Sequence, residues 1–358
     1  MSLQPTSILV VGTGTIGQAW LTRYADTIPL QFQATVRGLY RSQQYIHLDN
    51  NSVPSHGLTA AGWQYSNDVL TQLDQDIFDY SHRHEQVIVL DLTASSAVGQ
   101  RYADWLRAGA HIVCANKYAG ASSSTYYEQI RRISRQYQRH WRYNTTVGAG
   151  LPIQSAIRER LHSADPIRGI EGNFSGSLSW IFQQYQPGDQ LSKWLRAAAD
   201  QGLTEPDPRS DLGGLDVARK LLILAREAGW SLELDEIQVQ SLVPDSLAQL
   251  SSEEFWQHLE HFDAEFERWR QRTHPTAQKF CYIGAVERDV DAKPHAWARL
   301  EPISPSSPYA SLPPGNANFV IRSELYNTNP LLIQGPGAGP EVTAAGIHTD
   351  LLDILQQL

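Results

Sequence analysis

Cysteine is nearly missing from this chain: only Cys114 and Cys281 are present. Two thiols exclude a disulfide scaffold and fit a reducing compartment. No run of basic residues occurs and the formal net charge is −9, which excludes nucleic-acid binding as a main role. No window approaches the ~20 apolar residues of a membrane span, and the N-terminus lacks a basic stretch followed by an apolar core. Low-complexity tracts and internal repeats are also absent. These absences lead us to expect a soluble, cytoplasmic protein without a membrane partner. The composition is that of an ordinary globular protein, 41% apolar and 19% charged over 358 residues, which is enough for two domains.

Residues 7–11 (SILVV), 33–39, 87–92 (VIVLDL) and 110–115 (AHIVCA) read as buried strands. Helix patterns lie at 16–24, 96–108 and 123–140, and a further strand at 141–145. This alternation predicts a parallel, doubly wound α/β sheet of the Rossmann type. The character changes near Val147. A helix at 152–162, a strand at 169–176, helices at 177–185 and 215–228, and late strands at 279–287, 296–302 and 317–326 predict an α+β second domain with a mixed or antiparallel sheet. We place the first domain at 1–146, with a closing helix in 340–358 returning to it, and the second at 147–339. Ser251 and Glu254 form a capping-box pattern. Phe255, Leu259, Phe262, Phe266 and Trp269 then trace one apolar helix stripe, read as core or subunit interface.

Gly12-Thr13-Gly14-Thr15-Ile16-Gly17 fits G-x-G-x-x-G. It follows an apolar strand and opens a helix, the context a dinucleotide site requires. Gly12 allows the turn, Gly14 lets backbone approach a pyrophosphate, and Gly17 lets helix pack on strand. An NAD site usually carries an acid about 20 residues on. Residues 34–48 have none; Arg41 and Ser42 stand there instead. An arginine there pairs with a 2′-phosphate, so we expect NADP(H) over NAD(H). Asp91-Leu92-Thr93-Ala94-Ser95 and Asn116-Lys117 end two strands at the carboxyl edge, where ligands bind in open sheets. The turn around Gly148 and Gly150 offers converging carbonyls for a cation or amides for an anion. GPGAG (335–339) offers a second close approach of backbone to cofactor.

Mid-chain, residues 205–220 read EPDPRSDLGGLDVARK. Glu205, Asp207 and Asp211 sit in a Pro- and Gly-interrupted loop. Asp216 and Lys220 follow four positions apart on one helix face. Their neighbours Val217, Ala218 and 221–225 are apolar, so the helix reads as buried. Charge at the mouth of a buried helix is costly unless paired or used, and that points to an active site. A Pro-Asp-Pro turn accounts for Asp207 without chemistry.

The segments VVGTGTIG, DLTAS, ANK, YNTTVGAGLPI, IEGNFSGSLSWIF, GLTEPDPRSDLGGLDVARKLLILARE and GPGAGPEVTAAGI resemble the homoserine dehydrogenases, in order and over nearly the whole chain. By texture the chain is most similar to the dehydrogenase half of the bifunctional aspartokinase–homoserine dehydrogenases. It shows neither their kinase nor a C-terminal regulatory module, so feedback by threonine through such a module is not expected.

The resemblance implies NADPH-dependent, reversible reduction of L-aspartate 4-semialdehyde to L-homoserine in threonine, methionine and isoleucine biosynthesis, and a homodimer. It implies Lys220 as the acid/base, Asp216 as its partner and Lys117 as a further catalytic group between cofactor and substrate. Glu205, Asp211, Asp216, Lys117 and Ser177 are implied as substrate contacts. Thr93, Ala94, Ser95, Asn116, Lys117, Gly202 and Gly339 are implied along the cofactor, beside the residues of the Gly-rich loop. Asn144, Val147, Ala149 and Leu151 match a sodium site built from main-chain oxygens, with Asn144 where many members have Glu. Ser210 and Tyr118 also depart from the family pattern. Two other readings stand beside this one. A non-catalytic NADPH-binding sensor would not need Asp216 with Lys220. An aspartate-semialdehyde dehydrogenase would need a cysteine nucleophile, for which Cys281 is the only candidate.

Overall fold

The computed structural model describes residues 4–28, 30–48, 62–288 and 292–358. The chain divides into two compact units, Met1–Leu151 with Gly339–Leu358, and 152–338. The turn at 148–151 thus stays with the first unit, sealed against the closing helix Pro340–Leu355. A Cβ on Gly346 of that helix would lie 2.5 Å from Thr145 Cγ2 and 3.1 Å from Gly150 Cα.

In the first unit the strands are β1 (Thr6–Val11), β2 (Ala34–Tyr40), β3 (Gln44–His47), β4 (Gln64–Tyr65), β5 (Gln86–Asp91), β6 (Ala110–Cys114) and β7 (Trp141–Arg142), in spatial order β4-β3-β2-β1-β5-β6-β7. Strands β2, β1, β5, β6 and β7 pair in parallel. β3 and β4 add an antiparallel extension beyond the expected sheet. All six residues of β1 are buried, as a parallel strand covered on both faces should be. One core cluster joins Ile8, Val10 and Leu90 to Trp20 and to Ile347, Leu351 and Ile354 of the closing helix.

Three local readings change. Helix Val69–His82, N-capped by Asp68, was not anticipated. The 96–108 pattern splits into Ser96–Gly99 and Tyr102–Arg107, the first piece ending at Gly99, which lies against the Tyr118 ring. The strand at 141–145 is only two residues long, because 144–146 turn into a 3₁₀ segment.

The second unit holds β8 (Ile167–Gly172), β9 (Gln238–Val239), β10 (Phe280–Glu287), β11 (His295–Pro302), β12 (Asn316–Ser323) and β13 (Leu331–Pro336), ordered β13-β12-β8-β10-β11-β9. All pairs are antiparallel except β9 with β11. Helix Leu191–Asp200 and strands β9 and β13 were not anticipated. The amphipathic stretch from Ser252 breaks at His258 into Ser252–Gln257 and Leu259–Thr273, with the Ser251/Glu254 capping box formed. Phe255, Leu259, Phe262 and Phe266 are buried within this unit, so that stripe is core.

His111 on β6 is fully buried. Its Nδ1 accepts from the His140 amide at 3.0 Å, and Arg139 Nη1 lies 3.1 Å from Nε2. Burial first, then the charge of Arg139 and the neighbouring His140, lowers its pKa to about 3. The unfolded chain therefore binds a proton below about pH 6.5 that the folded chain refuses. Stability is unaffected above that pH and lost as pH falls towards 3, by on the order of 1 kcal/mol per unit. We expect the urea midpoint to drop between pH 6.5 and 4.5, and to drop less in His111→Asn, whose amide oxygen can replace Nδ1.

Candidate active site

The Gly-rich turn leaves the carboxyl end of β1. Gly12 has φ +93°, and a Cβ there would sit 2.7 Å from Thr93 Cγ2. A Cβ on Gly17 would lie 2.2 Å from the Gly12 carbonyl oxygen, so only glycine lets helix Thr15–Tyr24 start this close to the strand. A Cβ on Gly14 would meet nothing within 4 Å, which leaves the amides of the helix start open to an anion. Thr13 is buried, Ile16 packs on the core and Thr15 is exposed. Arg41, just past β2, donates from Nε to Thr13 Oγ1 at 2.6 Å. Ser42 is exposed beside it. These residues fit a dinucleotide pyrophosphate with a guanidinium at one end.

One buried carboxylate ties the next two strand ends together. Asp91 Oδ1 accepts from the Thr93 amide and hydroxyl at 2.9 and 2.7 Å. Its Oδ2 accepts from Tyr102 at 2.6 Å and from Asn116 Nδ2 at 2.9 Å. Asn116 Nδ2 also donates to the Ser95 carbonyl, and Asn116 Oδ1 accepts from the Tyr118 amide. Burial pushes the Asp91 carboxyl above its ordinary pKa, while these donors pull it back. Thr93, Ala94, Ser95, Asn116 and Lys117 are thus held as one hydrogen-bonded edge, with Lys117 at the N-cap of Tyr118–Ala121.

In the second unit, Gly214 (φ +72°) opens helix Leu215–Glu227, and a Cβ there would lie 2.1 Å from the Tyr282 hydroxyl. On the helix's first turns, Lys220 Nζ lies 2.8 Å from Asp216 Oδ2 and donates to the Phe174 carbonyl at 2.9 Å. The lysine side chain is 18% exposed. Ser175 caps helix Gly176–Gln184 and lies 3.0 Å from Ser177 Oγ. Ser177 Oγ donates to Asp211 Oδ1 at 2.7 Å, and the Glu205 amide donates to Asp211 Oδ2 at 2.8 Å. Asp211 therefore braces two segments, while Glu205 is exposed. Asp207 is held by Arg209, whose Nε and Nη2 bind the carboxylate at 2.9 and 2.6 Å. The Phe174 carbonyl and the bracing role of Asp91 are not among the sequence expectations. A backbone carbonyl has no residue signature, and Asp91 was visible only as a polar strand end.

Two family models match the chain. The homoserine dehydrogenase model matches residues 152–352, and the homoserine dehydrogenase NAD-binding domain model matches 12–144. The chain belongs to the homoserine dehydrogenase family. Members are NAD(P)-dependent oxidoreductases acting on a CH–OH group. Bifunctional aspartokinase/homoserine dehydrogenase 2 of Escherichia coli is 37% identical over 98% of this chain and 43% of its own length. The chain thus spans less than half of that relative. The homoserine dehydrogenase of Schizosaccharomyces pombe is 37% identical over 76% of this chain and 73% of its own. Among solved structures, a protein of unknown function from Candida auris superposes with a TM-score of 0.88 at 28% identity, covering 98% of this chain and 99% of that one. A hyperthermophilic archaeal homoserine dehydrogenase in complex with NADPH gives 0.72 at 20% identity, covering 98% of each, which is a likeness of fold.

The remaining positions that the resemblance implies lie in turns. Gly202 (φ +68°) ends the turn after helix Leu191–Asp200, and Gly339 (φ +132°) caps the closing helix. In the 144–151 turn, the Asn144 carbonyl accepts from the Val147 amide at 3.5 Å, and Asn144 Nδ2 donates to the Leu151 carbonyl at 3.3 Å. Ala149 has φ +53°. An amide donor therefore already faces one of the carbonyls that a sodium ion would share. Cys281 is buried, its thiol pushed up to about 12 by burial. It packs with Ile283, Ala285 and Tyr309 on the sheet face opposite Tyr282 and Gly284, which rules it out as a nucleophile beside Lys220.

Gly284 of β10 controls the lysine's surroundings. A Cβ there would lie 2.9 Å from both the Phe174 ring and Val217 Cγ1. We expect Gly284→Ala to destabilise the fold by about 1–3 kcal/mol through overpacking and to lower kcat by displacing both the Phe174 carbonyl and the lysine's helix. Urea titration with steady-state kinetics checks both effects.

Proposed function

We propose that this protein is an NADPH-dependent homoserine dehydrogenase that reduces L-aspartate 4-semialdehyde to L-homoserine, reversibly, in threonine and methionine biosynthesis. The observation that carries the reading is Lys220 Nζ held between the Asp216 carboxylate and the Phe174 carbonyl. Two acceptors orient the amino group, which as an ammonium donates a proton to a carbonyl oxygen and stabilises the alkoxide that forms there. When bound, the reduced nicotinamide supplies the hydride. In the reverse direction Lys220 must first lose its proton, so homoserine oxidation speeds up with rising pH.

The substrate's ammonium group calls for an acid. Asp211 spends an oxygen on Ser177 and another on the Glu205 amide, so Glu205 is the principal anchor and Asp211 holds its loop and Ser177 in place. The substrate carboxylate calls for donors, among which we place Lys117. Arg41, in the position where an NAD site carries an acid, favours NADP(H). The main-chain oxygens of Asn144, Val147, Ala149 and Leu151 would hold a sodium ion, which enters no catalytic step. The reading includes a cytoplasmic homodimer. The apolar side chains exposed at Leu325, Tyr326 and Leu332 in the second unit support self-association.

NADPH oxidation followed with L-aspartate semialdehyde, with and without phosphate, tests the activity. NADPH oxidation without phosphate, giving homoserine, is expected; no NADPH oxidation, with NADP+ reduced only when phosphate is present, would reject the reading. Lys220→Ala should lose about 10²- to 10⁴-fold in kcat with NADPH affinity retained, and wild-type turnover in that variant would dismiss Lys220. Arg41→Ala should reduce the preference for NADPH over NADH, measured as the ratio of kcat/KM values.

A further inference from the structure

We propose that Trp63 is a specificity-determining residue of the dinucleotide site, its ring clamping Arg41 in the orientation that takes a 2′-phosphate. The proposal rests on the NADP(H) reading of Arg41 and adds the residue that makes that arginine selective.

The Arg41 guanidinium carbon lies 4.0 Å above the centre of the Trp63 ring. This is close stacking for a cation on an indole face. The arginine is fixed at two further points: Nε donates to Thr13 Oγ1 at 2.6 Å, and the backbone amide donates to the Gln44 carbonyl at 2.7 Å. Among the described residues, Nη1 and Nη2 of Arg41 have no hydrogen-bond acceptor. One face of the guanidinium is thus covered by indole and its inner nitrogen is spent on the Gly-rich turn. The two terminal nitrogens remain, in the fork that binds phosphate oxygens.

Trp63 is placed by the unanticipated edge of the sheet. Strand β4 begins at Gln64 and pairs with β3 in the register Gln44↔Tyr65 and Tyr45↔Gln64. The Ser66 amide donates to the Gln43 carbonyl at 3.0 Å. This ladder returns the chain over Arg41. Trp63 also packs against the first unit's core cluster, so the platform is anchored. The carboxylate beside the end of β2 is already engaged. Asp76 accepts from the Tyr40 hydroxyl at 2.6 Å and Gln72 Nε2 at 3.1 Å, lies 2.8 Å from His47 Nε2, and is buried. It offers a ribose diol nothing. A free arginine would lose rotamer freedom on meeting the phosphate; this one has already lost it.

The test uses the whole enzyme and two probes that differ only in the phosphate of interest, 2′,5′-ADP and 5′-AMP, as competitive inhibitors against NADPH. The readout is the ratio of their inhibition constants in the wild type, Trp63→Leu, Trp63→Tyr and Arg41→Ala. Trp63→Leu keeps apolar packing without a ring face. The preference for 2′,5′-ADP should fall about three- to tenfold in Trp63→Leu and be largely retained in Trp63→Tyr. Weakening of both probes in equal proportion, equal loss in Trp63→Leu and Trp63→Tyr, or an unaltered ratio in Trp63→Leu would overturn the proposal. If Arg41→Ala collapses the preference while Trp63→Leu does not, the NADP(H) reading stands and only the role of Trp63 fails. If Arg41→Ala keeps the preference, the NADP(H) reading itself fails.

Discussion

The ammonium of Lys220 is a charge on a helix whose other side is core, and much of the second unit exists to make that placement tolerable. A desolvated cation needs acceptors. One comes from the same helix, Asp216, one turn earlier. The other is the Phe174 carbonyl, on a loop between β8 and the helix Gly176–Gln184. Both must approach the sheet closely, and glycines permit it: Gly284 under Phe174 and Val217, Gly214 over the Tyr282 hydroxyl. The far end of the same helix obeys the same rule. Arg226 and Glu227 are buried there, and each is paired, with Glu233 and Arg158. The pair at the near end instead meets the Phe174 loop, which runs on into Ser175 and Ser177, and this difference in surroundings sets the two pairs apart.

The first unit solves an equivalent problem with opposite charge. Asp91 is wholly buried and gathers donors from Thr93, Tyr102 and Asn116. Each donor belongs to a different segment, the turn after β5, the helix Tyr102–Arg107 and the end of β6. A network this fully satisfied rigidifies what it joins. The positions of Thr93 to Ser95 and of Asn116 and Lys117 are therefore not independent.

What was legible in the sequence was local. The Gly-rich turn, the i,i+4 spacing of Asp216 and Lys220, and the Ser251/Glu254 capping box each lie within a few residues, and each formed as read. What was hidden depends on pairing across distance. Trp63 meets Arg41 only through the β3–β4 register. Phe174 acts through a carbonyl. Strand β13 is half exposed and contains Gln334, Gly335 and Pro336, too weak a pattern to stand out. Helix Leu191–Asp200 has a strong apolar face in Leu191, Leu195 and Ala198, yet its short span sits between loop signals and was passed over.

The acids of the mid-chain loop show why composition alone misleads. Glu205, Asp207 and Asp211 are equivalent on paper. Arg209 forks onto Asp207 and donates from Nη1 to the Leu250 carbonyl at 2.5 Å, so Asp207 lies below the usual carboxylate range because of that guanidinium. Its charge is neutralised at home. Asp211 is turned inward onto Ser177 and the Glu205 amide. A carboxylate that accepts from neutral donors has no opposite charge beside it, whereas one locked to a guanidinium forms a net-neutral pair. Asp211 thus joins Ser177 to the backbone of Glu205, the Glu205 side chain is left exposed, and Asp207 serves the loop.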